Sequence, residues 1–171
     1  MKKRRKNADY YFDERENAIR NRVITHGFIL LVVLLFIDWF LDVIFEVHWA
    51  QGRNGNLVLL SVASFIVMLE MIFRGVYFSR KQSPYTLPGR LALMLLWAVA
   101  WGFNAGMSCI TIVRLGEPFT VQGQLTPEGS NLIACTLLAL SGLCGAVKSV
   151  IELYKSRREN KQQDEDRKIK E

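Results

Sequence analysis

Leu91–Val113 reads LALMLLWAVAWGFNAGMSCITIV, a run without a single Lys, Arg, Asp, Glu, His or Pro. As a helix rising ~1.5 Å per residue it is roughly 34 Å long, enough to cross a hydrocarbon core of ~30 Å. A helix in a soluble core carries its apolar residues on one stripe, whereas this run is apolar on every face. It marks the chain as an integral membrane protein, and the remaining sequence is read as topology around it.

The 171 residues suit a single domain. Half are hydrophobic and 22% are charged. Both figures hold in one molecule because the charges are segregated: MKKRRK at the start and the segment from Lys155 onward carry most of the basic residues. In a soluble chain a net charge of +6 would raise nucleic acid as a partner. Here the basic segments flank apolar spans, so no nucleic acid is expected. The expected partner is the lipid bilayer, through anionic headgroups at the cytoplasmic face. Cys109, Cys135 and Cys144 sit in apolar stretches without a CxxC, which argues against a zinc knuckle or a redox pair. Antiparallel spans would bring Cys109 and Cys135 to similar depth, which leaves a disulfide open beside the simpler reading of buried free thiols.

Four spans are expected, at about residues 23–45, 57–79, 91–113 and 131–154. They predict an all-α membrane protein, its four transmembrane helices forming an antiparallel bundle. Residues 1–22 form a basic N-terminal segment. Its DERENAIRNR run suits a helix capped by Asp13 and leading into span one, with Glu16 four residues ahead of Arg20. Residues 155–171 form a charged tail suited to helical continuation. In span one, the apolar run Phe28–Ile37 favours insertion by roughly 3–6 kcal/mol, against at most ~3 kcal/mol for the off-centre Asp38. No small-residue cleavage site follows, so an uncleaved anchor is expected. Pro84, Pro88 and Gly89 are expected to break the helices on either side of the loop at 80–90.

Orientation follows from Lys and Arg. Residues 1–22 carry eight, 74–90 carry four and 148–170 carry eight, while the intervening loops carry Arg53 and Arg114 alone. The positive-inside rule then places both termini in the cytoplasm of a cell that holds the chain in its plasma membrane.

Polar residues inside the spans are the candidate ion-contacting positions. Asp38, Asp42 and Glu46 recur every four residues, which puts three carboxyls on one stripe of a helix. The stripe is either a cation-attracting lining or a polar face neutralised by Arg114 or Arg53. Glu70 stands four residues before Arg74, in the order that favours an intrahelical pair. Lys148 and Glu152 repeat that spacing. Asn104 lies mid-span and needs an interhelical hydrogen bond or a polar cavity. Ala98, Gly102 and Gly106 on span three, and Ser141, Gly145 and Ser149 on span four, are small residues at spacing four. Such rows let helices approach closely, so spans three and four are expected to pack together. FTVQGQLT, around Gly123, suits a small hairpin. Trp49 suits the membrane interface, and His48 with Glu46 are too few for a metal site.

The run FDERENAIRNR leading into a first span, with three more spans behind it, resembles a group of small uncharacterised membrane proteins found mostly in Gram-positive bacteria, often near genes for transcription regulators or transporters. The resemblance rests on Asp13, Glu14, Arg15 and Glu16 and on the layout. It implies a four-span fold and brings no catalytic residues. Small four-span multidrug exporters are shorter and carry a key Glu within span one. Here Asp38 and Asp42 stand nearer the outer face, a departure that argues against them.

Three function classes remain. The first is a non-enzymatic accessory, regulatory or assembly component of a membrane complex, with a membrane-protein partner or as a homo-oligomer. The second is a small transporter or channel using Asp38, Asp42, Glu70 and Asn104. The third is an intramembrane enzyme, but the chain contains no HExxH, GxSxG or P-loop, and no cofactor is expected.

Overall fold

The computed structural model describes residues 14–52, 54–77 and 87–170. It is all-helical apart from one small hairpin: α1 (Glu14–Phe45), α2 (Asn54–Arg74), α3 (Leu87–Leu115), β1 (Thr120–Val121), β2 (Gln124–Leu125) and α4 (Pro127–Lys170). All four helices are long and apolar enough to cross a membrane. α1 begins well ahead of residue 23 and runs unbroken into the apolar stretch. α4 continues to Lys170, so its 44 residues extend for roughly 66 Å at the α-helical rise. Asp13, the expected cap of α1, lies outside the described residues.

Two boundaries differ from the sequence reading. α2 stops at Arg74, short of residue 79, because Gly75 takes a left-handed conformation at φ 68°. The N–H of Val76 then reaches the Met71 carbonyl at 3.0 Å and that of Gly75 reaches Ile72 at 3.1 Å, closing the helix end as a Schellman motif. α3 starts at Leu87, before residue 91, and takes Pro88 and Gly89 into its first turn. A first-turn N–H has no intrahelical acceptor in any case, so proline there costs no hydrogen bond. Pro84 lies outside the described residues.

α3 packs chiefly on α4, α4 also on α2, and α2 on α1. The order of contacts is informative. Asn131 meets Ser108, Gly142 meets Ala98 and Gly145 meets Met94, so the contacts descend α3 as they climb α4. A Cβ on Gly142 would lie 2.9 Å from the Ala98 nitrogen and 3.0 Å from the Met94 carbonyl oxygen, so the two backbones nearly touch. Ser141, Gly145, Ala146 and Ser149 are buried in this seam.

On α3 the seam runs through Met94, Ala98 and Ser108, all buried, while Gly102 and Gly106 are exposed. Among the described residues no atom lies within 4 Å of a Cβ built on either glycine. The expected Ala98–Gly102–Gly106 row therefore meets α4 only at Ala98. Each step of four overshoots a full turn, so Gly102 and Gly106 lie ~40° and ~80° round from Ala98 in one sense, while Met94 and Ser108 lie ~40° and ~80° round in the other. The α4 contact follows the second sense.

Hydroxyls along the helices bond to their own backbone. Ser61 donates to Leu57 O at 2.8 Å, Thr136 to Leu132 O at 2.7 Å and Ser149 to Gly145 O at 2.9 Å. In lipid, where no water is available, this satisfies the group locally. Asn104 follows the same rule: its amide donates to Ala100 O at 2.9 Å on its own helix, and the side chain is exposed. All three cysteines are free thiols, Cys109 exposed and Cys135 buried.

Candidate functional site

The end of α1 and the segment after it build a polar cleft of about 400 Å³. Asp38, Asp42, His48, Trp49, Asn56 and Gln124 line it, from four different parts of the chain. Two features close the chain back on itself here. Glu46 adopts φ 54°, which ends α1 at Phe45 and takes Glu46 off the helical stripe of Asp38 and Asp42. The segment 49–51 then pairs with the hairpin: Leu125 N–H donates to Trp49 O at 2.8 Å, and Gln51 N–H to Leu125 O at 2.9 Å.

The hairpin itself turns on Gln122 and Gly123, both at positive φ (52° and 81°). That pairing matches the right-handed twist of its strands. Thr126 fixes the exit into α4. Its hydroxyl donates toward Pro118 O at 2.8 Å and Phe119 O at 3.1 Å, and accepts from Gly129 N–H at 3.2 Å. Thr126 is thus the cap of α4, with Pro127 in the first turn behind it.

Inside the cleft each aspartate has a local partner. Trp49 donates its indole N–H to Asp38, and His48 Nδ1 meets the Asp42 carboxylate. Gly55, in the first turn of α2, admits the Trp49 ring: a Cβ there would stand 3.1 Å from it. Arg114 does not neutralise the stripe among the described residues. Arg114 is exposed in the last turn of α3 and makes no ion pair among the described residues, and Arg53 lies outside them. Glu46 is exposed, and among the described residues no three His, Cys, Asp or Glu side chains are placed to share a metal ion.

At the other end of α2, Arg74 Nη2 lies 2.6 Å from Glu70 Oε1, one turn away on the same helix. His26 of α1 approaches the same oxygen at 3.8 Å. Beside them Gly27 of α1 is buried against Val67 of α2, so the two helices approach closely at this level.

Lys148 and Glu152 lie in a second cleft, between α2, α3 and α4, and no ion pair joins them among the described residues. Three partners escaped the sequence reading: Trp49, His48 and His26. The first two could have been suspected from their closeness to α1's end. His26 could not, since only the pairing of α1 with α2 brings it to Glu70.

No family model, no curated protein and no solved structure matches this chain. The functional reading therefore rests on the site and surface geometry.

Proposed function

We propose that this chain is a non-enzymatic, four-span protein of a bacterial cell membrane, serving as an accessory, regulatory or assembly component of a larger membrane complex. In this reading the four helices form an antiparallel bundle with both termini in the cytoplasm. The descending order of contacts between α3 and α4 supports the helix directions, and the Lys and Arg count supports the sidedness.

One observation carries the accessory role. From Phe28 to Phe45 no residue of α1 is buried, and Gly102 and Gly106 of α3 lie open. A helix packed along one side only, and a small-residue row with nothing on it, suit contact with further transmembrane helices. The test is to tag the C-terminus, extract native membranes in mild detergent and identify stoichiometric co-purifying proteins. A reproducible partner is the expected result, and a lone monomer overturns the role.

The outer cleft favours a second reading, a small transporter or channel, because it places Asp38 and Asp42 together at one end of the helices. Asp38→Asn or Glu70→Gln would then abolish a cation or proton flux in proteoliposomes while protein levels hold. Unchanged flux in both variants removes this reading.

A further inference from the structure

We infer that the cleft between the ends of α2, α3 and α4 binds the phosphate of an anionic phospholipid, held by Lys148, Arg90 and Lys155. This inference rests on the topology proposed above, which puts the cleft at the cytoplasmic leaflet, and is independent of the accessory role.

The cleft has a volume of about 520 Å³. That lies within the ~300–1,000 Å³ usual for small-molecule sites. It is bounded by Ile72, Gly75 and Tyr77 at the end of α2, by Arg90 in the first turns of α3, and by α4 from Gly145 to Ser156. Among the described residues three cationic side chains, Arg90, Lys148 and Lys155, line it against one carboxylate, Glu152. Arg90 and Lys148 are half-buried. Among the described residues Lys148 and Lys155 make no ion pair, although Glu152 stands one turn from each. Lys148, drawn partly out of water without a counter-charge among the described residues, is costly in this position, and an anionic ligand offsets that cost.

Further features favour a phosphate group on a lipid. The Ser156 hydroxyl lines the same wall as the cations, and α3 directs its N-terminal end, where N–H groups lack helical acceptors, toward this end of the bundle. Tyr77, past the end of α2, adds a phenol to the cleft wall, its pKa raised by burial. The apolar side is equally suited. Ile151 of α4, which lines the cleft, is exposed, as is Phe73 in the last turn of α2. An acyl chain leaving the headgroup would run along them. A free phosphate would use the cations and leave this surface bare. Basic pockets between transmembrane helices on the cytoplasmic side are sites of this chemistry.

The full-length chain, reconstituted in nanodiscs with equal amounts of phosphatidylglycerol and phosphatidylcholine, tests the inference by native mass spectrometry. The wild type is expected to retain phosphatidylglycerol in preference to phosphatidylcholine. Lys148→Gln and Arg90→Gln should each lower that retention about five-fold, as expected for loss of one basic contact near the membrane surface. Lys148→Arg should restore it. Arg157→Gln, which removes a charge from the same helix outside the cleft, should leave it unchanged, and monodisperse elution of each variant shows that it folds. Equal retention by wild type, Lys148→Gln and Arg90→Gln overturns the inference. So does displacement of the lipid by millimolar inorganic phosphate, which assigns the cleft to a soluble anion. The readout is lipid bound per chain, so the accessory role can fail in co-purification while this site stands, and the reverse.

Discussion

Trp49 donates its indole N–H to Asp38, across the turn that ends α1. The contact fastens the segment after α1 to the helix it has just left, and the same segment carries the hairpin through Leu125. A single residue thus links α1 and the first turn of α2 through its side chain, and the hairpin before α4 through its backbone carbonyl.

Removing that donor should therefore be felt beyond the loop. Trp49→Phe keeps most of the ring and deletes the N–H, leaving a half-buried carboxylate short of one partner. We expect a loss of ~1–3 kcal/mol, the usual cost for a hydrogen bond to a charged group. Thermal unfolding in detergent reads it, and a cycle with Asp38→Asn isolates the pair. Additive single-variant effects would show that the two groups do not act together.

The two rows of small residues should behave in opposite ways. Gly145→Leu must displace Met94, which a Cβ at that position already approaches at 3.1 Å from Cγ. Overpacking of this kind costs ~1–3 kcal/mol. Gly102→Leu and Gly106→Leu meet open space within the chain and should leave its unfolding temperature unchanged. They should instead reduce co-purification of any helix seated on that face. Loss of stability at Gly102 equal to that at Gly145 would contradict the packing described.

Thr126→Ala should loosen the start of α4. The substitution removes the hydroxyl that caps Gly129 and ties down Pro118 and Phe119. Loss of such a cap costs ~1 kcal/mol. Hydrogen exchange should rise over residues 118–130, with Thr126→Ser close to wild type. Unaltered exchange in Thr126→Ala would mean that the hairpin alone holds the helix start.

Sidedness is open to direct labelling. With Cys109, Cys135 and Cys144 replaced by alanine, a single cysteine at Gln122 should react with a membrane-impermeant maleimide in intact cells. One at Ser156 should react only after lysis. The reverse pattern would invert the proposed orientation.

Four helices long and apolar enough to cross a membrane were legible in the sequence because that property depends on local composition: a run such as Phe28–Ile37 carries it whatever surrounds it. The hairpin at Gly123 was legible for a similar reason, since its turn needs residues that tolerate positive φ. Gly75 shows the limit of this reasoning. It ends α2 early, but an apolar run continuing to Tyr77 concealed the stop.

What the tertiary structure decided is which groups meet. The sequence placed Asp38, Asp42 and Glu46 on one stripe. Folding gave Asp38 to Trp49 and Asp42 to His48, and took Glu46 off the helix. The sequence showed two rows of small residues. Folding buried the α4 row and left most of the α3 row open, because a spacing of four drifts round the helix and α4 follows the other edge of the drift. It likewise brought Arg90 to the cleft of Lys148 and Lys155, residues far apart in the chain. Composition and hydropathy belong to a segment by itself and can be read there. Neighbours across helices depend on the rotation and register of each pair, and those are set only when the packed faces choose one another.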